Sequence, residues 1–233
     1  MNKTGAHVIA YHGWGLSSEF WNRWINLLSE DVRFDASDRG YSGSENVVRF
    51  DNKPASKQIL FVHSFGLHWC PHEVLSNADH LVIFGGFLNF HPESEKKKKR
   101  SHFFVQQMLS RFVDKPGEVL NKFLENVFYP ANPDEQFLRG DIDHDKLLAD
   151  LTMIQHETQS VQILHEIPEI TILHGESDKI VSNEKARKLY HNLRYRARYF
   201  ELKNAGHALP YTQAEACYMF LKPFIEPEFF IKN

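Results

Sequence analysis

A chain of 233 residues is long enough for one sizeable core, or for one core plus a small appended subdomain. A net charge of −3 argues against a general nucleic-acid binder, which would be basic over a whole domain; 42% hydrophobic and 24% charged residues suit a globular protein. Two cysteines, Cys70 and Cys217, cannot staple a chain of this size, so no disulfide is needed and a reducing compartment is expected.

Met1 to Gly5 lead into a strand without the apolar stretch of a signal peptide, and no apolar run reaches membrane-spanning length. A cytoplasmic location, away from membranes, is the expectation. His7 to Tyr11 reads as a first strand, closed by His12-Gly13-Trp14-Gly15. Two glycines after a strand leave backbone N–H groups uncovered, as an anion or oxyanion site requires. Ser17-Ser18-Glu19 then caps an amphipathic helix from Phe20 through Leu28. Val32 to Asp35 is a second strand, followed by a turn at Asp38 to Gly43, in which Asp35 and Asp38 are expected as turn residues; Asn52-Lys53-Pro54 marks a loop.

Ile59-Leu60-Phe61-Val62-His63 is continuously apolar up to its last residue and breaks at Ser64-Phe65-Gly66. A buried strand turning sharply into a helix, here Leu67 to Ala78, explains a Gly at a fixed offset from Ser. Such a corner pushes the Ser side chain out at the end of a sheet, where a nucleophilic hydroxyl belongs. His80 to Phe84 is another buried strand, ending in Gly85-Gly86. From 87 to 166 no strand-like run occurs. Helical patterns at Phe103 to Leu109, Leu120 to Val127 and Asp143 to Leu164 are separated by Pro116-Gly117 and Pro130 to Pro133. Strands resume at Ile170 to Leu173 and Tyr199 to Leu202, with helices at Asn183 to Asn192 and Gln213 to Phe224. Continuously apolar strands alternating with helices predict an α/β fold, a mostly parallel sheet covered on both faces. Residues 1–86 and 167–233 would form the core, and 87–166 a helical lid subdomain.

Ser64, Asp178 and His207 each follow a strand, and loops at the carboxyl ends of parallel strands share one edge. A Ser hydroxyl needs a His to take its proton, and that His needs a carboxylate on its other nitrogen to fix the tautomer. The order nucleophile, acid, histidine resembles the α/β-hydrolase fold, as do His12-Gly13-Trp14-Gly15, His174-Gly175-Glu176-Ser177-Asp178 and Ala205-Gly206-His207. The resemblance implies an oxyanion hole made of the Trp14 and Phe65 backbone N–H groups. Glu176 is the alternative third member, with Asp178 preferred at the end of its turn. Where the family's elbow reads Gly-x-Ser-x-Gly, this chain has Val62, whose side chain is expected to open the elbow slightly. His63, His68, Cys70 and His72 match no zinc spacing, so packing or surface roles are expected and no metal. His12 and His174 are read as structural, hydrogen-bonding within their loops.

Within that fold, His12 to Leu16 with Glu19 and Trp21, and Ala205-Gly206-His207-Ala208-Leu209-Pro210, are similar to the pimeloyl-acyl-carrier-protein methyl ester esterases of biotin synthesis. The resemblance implies hydrolysis of a methyl ester at the far end of a seven-carbon acyl chain whose other end is held by a carrier protein, with no cofactor. Phe87, Phe90, Phe103, Phe104, Phe112, Phe123, Phe128 and Phe137 could line an acyl channel or could be the lid's own core. Lys96 to Arg100, with Arg111, Lys115, Lys122 and Arg139, could steer an acidic acyl carrier protein, chiefly through Lys97, Lys98, Lys99, Arg100 and Arg111, or could be a solvated loop. Two further readings are a general short-chain carboxylesterase or C–C hydrolase with the same triad, and a non-catalytic binding module prompted by Val62.

Overall fold

The computed structural model describes residues 5–51, 56–138, 142–193 and 196–226. The loop signal at Asn52 to Pro54 and the basic Arg139 lie outside them. Among the described residues, six strands form one sheet: β1 (Ala6–Tyr11), β2 (Val32–Ser37), β3 (Lys57–His63), β4 (His80–Phe84), β5 (Glu169–Gly175) and β6 (Ala197–Leu202). Their order is β2-β1-β3-β4-β5-β6 and every neighbouring pair is parallel. β3 and β4 are central and read as unbroken apolar runs because both faces are covered; Ile59 to Val62 and Leu81 to Phe84 are fully buried.

Among the described residues, four short helical pieces belong to the first half: a 3-10 turn at Ser18–Trp21 leading into α1 (Asn22–Ile25), then α2 (Gly66–Trp69) and α3 (His72–Ser76). The expected helix from Phe20 to Leu28 is thus a turn plus one helical turn. Phe20, Trp21 and Trp24 are all fully buried, and the Trp24 indole donates to the Pro210 carbonyl at 2.8 Å, so anchoring three large rings decides the path. The first N–H groups are capped from across the fold, Ser18 N–H donating to Asp38 at 2.7 Å, while the Ser17 side chain makes no cap bond. The expected helix Leu67 to Ala78 is cut in two because Cys70, preceding Pro71, is extended (ψ 127°). Asp35 is not a turn residue: it lies within β2, which runs on to Ser37, and pairs with His7 at 2.8 Å.

Between β4 and β5 stand α4 (Glu95–Asp114), α5 (Pro116–Phe128) and α6 (His144–His156), with 3-10 turns at Glu135–Leu138 and Val161–Leu164. The Lys96 to Arg100 run is therefore the first turns of a helix and not a loop. The pattern from Asp143 to Leu164 breaks after His156, where an isolated bridge joins Asn89 to Thr158. After β5 come α7 (Asn183–Leu193), α8 (Leu209–Thr212) and α9 (Ala214–Ile225). Among the described residues no helix is long and apolar enough to cross a membrane.

α6 carries one buried acid on its apolar side. Asp150, 1% exposed, accepts both Arg39 Nε and Nη2 at 2.9 Å and the Tyr41 hydroxyl at 2.6 Å. A bidentate guanidinium pair away from water fixes orientation as well as energy. It ties the helical segment to the loop after β2. Replacing Asp150 with Ala removes two of the Arg39 guanidinium's carboxylate hydrogen bonds, leaving it the Glu45 contact at 2.8 Å, and strips the buried Tyr41 hydroxyl of its acceptor, so urea unfolding of the variant is expected to show a loss of about 3 kcal/mol.

Candidate active site

Ser64 follows the last residue of β3 and adopts φ 54°, a left-handed conformation that a residue with a Cβ seldom takes. Its N–H donates to the Phe84 carbonyl at 3.0 Å, which holds the corner against β4. The tight turn exists with Val62 in place, fully buried in the sheet beside Tyr11 and Ile83. The close approach falls instead at Gly66, where a Cβ would collide with the Tyr11 carbonyl oxygen.

The structure brings Ser64, His207 and Asp178 together. His207 Nε2 lies 2.8 Å from Ser64 Oγ, and His207 Nδ1 lies 2.7 Å from Asp178 Oδ2. A carboxylate can only accept, so Nδ1 carries the proton and Nε2 presents a lone pair to the hydroxyl. Asp178 Oδ1 accepts the Ile180 and Val181 N–H groups at 2.7 and 2.9 Å, which fixes the carboxylate at the start of its turn. Burial alone would raise its pKa; the His207 ring, its hydrogen bond, His174 and the Val181 N–H together hold it below the ordinary value of 3.8. Glu176, the alternative acid, is exposed, and its backbone N–H bonds Leu202.

Gly13 packs directly on the corner: a Cβ there would lie 2.9 Å from Ser64 Cβ. The turn carrying Trp14 thus abuts the Ser, and Phe65 follows it at the start of α2. Among the described residues, neither the Trp14 nor the Phe65 backbone N–H is taken by an internal acceptor. The Trp14 indole reaches into the helical segment, donating to the Leu147 carbonyl at 2.8 Å and meeting Phe123 edge-on at 4.8 Å.

Three histidines around this line hold backbone. His12 Nδ1–H donates to the Gly13 carbonyl at 2.8 Å, since its Nε2 accepts the Arg39 N–H. His174 Nε2–H donates to the Val181 carbonyl at 2.9 Å, within the Asp178 turn. His63 Nε2–H donates to the His207 carbonyl at 3.0 Å, and the two rings are 4.7 Å apart. Burial first, then the His207 ring, drives the His63 pKa well below its ordinary value, so it is a neutral donor that positions His207. That role escapes a sequence reading of His63 as packing; its place immediately before the Ser is the only local signal. His68 bonds the Phe87 carbonyl at 3.0 Å, Cys70 is buried, and no group of three metal-ligating side chains occurs among the described residues.

An open cavity of about 1680 Å³ has Ser64 and Trp14 in its wall. Phe87, Phe90, Phe104 and Phe123 line it, whereas Phe112, Phe128 and Phe137 are buried in packing and Phe103 is 60% exposed. Lys97, Arg100 and Arg111 reach the cavity; Lys98 and Lys99 do not. Lys97 pairs with Glu184 at 2.7 Å and Arg111 with Glu118 at 2.6 Å, both exposed.

No protein-family model matches the chain, and no curated protein matches its sequence. Solved structures do. An esterase from Exiguobacterium antarcticum superposes at TM-score 0.74 with 18% identity, over 96% of this chain and 92% of its own. A thermophilic esterase from Thermogutta terrifontis gives 0.73 with 15% identity over 96% and 90%. MenH from S. aureus gives 0.71 with 16% identity over 97% and 96%.

Two outcomes follow from this geometry. At Gly85, φ 54°, a Cβ would lie 3.0 Å from His207 Nδ1 and 3.4 Å from Asp178 Oδ2. Gly85→Ala should therefore wedge that hydrogen bond and cut any Ser64-dependent turnover about tenfold or more, read by ester kinetics on protein shown folded by circular dichroism. Secondly, a carboxylate whose folded pKa is depressed stabilises the fold above its unfolded value and loses that contribution as pH falls through the folded one. Wild-type stability should thus fall more steeply than that of Asp178→Asn as pH drops below about 5, measured by chemical denaturation. Taken together, the sheet order, the strand-end corner and these superpositions establish that the chain has the α/β-hydrolase fold.

Proposed function

We propose that the protein is a cytoplasmic serine carboxylesterase, with Ser64 as nucleophile, His207 as general base and acid, and Asp178 orienting His207. The unbroken relay from Asp178 Oδ2 through His207 to Ser64 Oγ, at 2.7 and 2.8 Å, carries this reading. Ser64 Oγ attacks the ester carbonyl as His207 Nε2 takes its proton. The oxyanion is held by the Trp14 and Phe65 N–H groups, each worth about 3 kcal/mol of transition-state stabilisation. His207 then protonates the departing alkoxide, which leaves as the alcohol, and water, deprotonated by the same His, releases the acid and restores Ser64. A binding module would have no use for a Ser held at φ 54° and hydrogen-bonded to a carboxylate-fixed imidazole.

For the substrate we propose the methyl ester of a pimeloyl chain borne by an acyl carrier protein, methanol being the alcohol released. The Phe-lined cavity running from Ser64 suits an acyl chain, and the exposed Lys96 to Arg100 run on α4 suits an acidic carrier, with residues 87–166 acting as the lid. The general esterase and C–C hydrolase readings share the same three residues and differ in preferring small free substrates.

Dicarboxyl methyl esters, free and carrier-linked, should be hydrolysed by the wild type, with the carrier-linked form preferred. Ser64→Ala should lose this turnover by roughly 10³-fold or more while melting within a few degrees of wild type. Undiminished turnover in that variant would eliminate the nucleophile assignment; preference for free short esters would eliminate the carrier.

A further inference from the structure

The charges around the main cavity do not cancel. Among the described residues, seven basic side chains and four carboxylates reach its wall. Every carboxylate is already paired: Glu93 with Lys188, Glu118 with Arg111, Glu125 with Lys122 and Glu184 with Lys97. Among the described residues, Arg100, Lys179 and Lys185 are left with no carboxylate within ion-pair distance. They come from α4, from the turn after Asp178 and from α7, so three separate elements each aim an uncompensated cation at one space. The whole chain has a net charge of −3, which makes this local surplus the opposite of the protein's average.

Lys185 is the most constrained of the three. Its Nζ donates to the backbone carbonyls of Asn89 and, at 2.9 Å, His91, two neutral acceptors that hold the ammonium in the cavity wall. An ammonium has three donors, so one remains. Burial lowers its pKa to about 8, with Glu93 opposing and Lys188 reinforcing that shift. His91 does not add to the charge, because burial and the neighbouring His102 bring it down to about 4. Lys179 stands over the Tyr129 ring at 3.2 Å and Arg100 over Phe104 at 5.3 Å, contacts that position a cation without neutralising it. Ser64 is 4% exposed whereas Arg100 and Lys179 are exposed, so these two cations stand on the solvent side of the same cavity.

We infer that the cavity takes esters whose far end carries an anionic oxygen group, a phosphate or a carboxylate, met by Arg100, Lys179 and Lys185. The inference rests on the esterase reading only for which end of the ligand sits at Ser64. A partly desolvated cation without a counter-ion is unfavourable, and a ligand that supplies the missing charge gains what the empty cavity lacks. It also shifts recognition from the lysine run alone to two residues of the β5–α7 wall.

The test uses matched pairs on the inert Ser64→Ala chain, with binding read by calorimetry. Monomethyl pimelate is compared with dimethyl pimelate, and the methyl-pimeloyl thioester of 4′-phosphopantetheine with that of pantetheine. The anionic member of at least one pair should bind about fivefold more tightly at low salt, and the ratio should shrink toward one at about 0.5 M salt. The pair with the larger ratio identifies carboxylate or phosphate as the group. Lys185→Gln and the exposed Lys179→Gln, each added to that chain, should both lower the ratio; the second keeps the test open should the first not fold. Equal affinities within both pairs, or a ratio that neither substitution changes, would overturn the inference. Hydrolysis of dimethyl pimelate by the unsubstituted chain reads the esterase proposal separately, so the two can fail independently.

Discussion

The arrangement depends on one line of hydrogen bonds, from the Asp178 carboxylate through the His207 imidazole to the Ser64 hydroxyl. Its three members lie after β5, β6 and β3, and they meet because parallel strands deliver their carboxyl ends to one edge. Each end of the line is fixed by backbone rather than by another flexible side chain. Two N–H groups of the following turn hold Asp178, and the strained corner holds Ser64. His63 fixes the middle by donating to the His207 carbonyl. An imidazole carrying its proton on Nδ1 is thereby kept ready to accept one at Nε2.

The helical segment between β4 and β5 grips this line in two places. α5 and α6 hold the Trp14 ring through Phe123 and the Leu147 carbonyl, and Trp14 supplies a proposed oxyanion donor. The end of α5 also meets the histidine loop: Ala208 N–H bonds the Val127 carbonyl at 2.9 Å, and Gly206 lies so close to the Tyr129 carbonyl that no Cβ fits. The Arg39–Asp150 pair anchors α6 to the core from the other side. The segment that walls the cavity therefore also packs on the two loops that carry Trp14 and His207, and its proposed role as a lid carries consequences for rate as well as access.

What could be read from the chain alone follows a physical line. Buried parallel strands announce themselves as continuous apolar runs, which is why Ile59 to Val62 and Leu81 to Phe84 were legible, and the Ser64–Gly66 offset with them. Local periodicity failed where long-range anchoring decided the path, as for Phe20, Trp21 and Trp24, whose burial leaves only one helical turn at Asn22–Ile25. Pro71 marks its break in the letters, while the apolar pattern from Leu67 to Ala78 runs across it. Asp35 looked like a turn because its partner, His7, is 28 positions away on the neighbouring strand. Asp150 left a signal, a lone acid among Leu147, Leu151 and Ile154, but its partners Arg39 and Tyr41 are more than a hundred positions distant. The pairing that leaves Lys185 uncompensated cannot be seen in one dimension at all.

An activated serine reacts with a fluorophosphonate, and an ordinary one does not. Intact-protein and peptide mass spectrometry after brief exposure to such a probe measures the central claim directly. A single adduct on the peptide containing Ser64, absent when His207 is replaced by Gln, is the predicted result. No adduct at Ser64, or the same labelling with and without the His207 imidazole, would contradict the account.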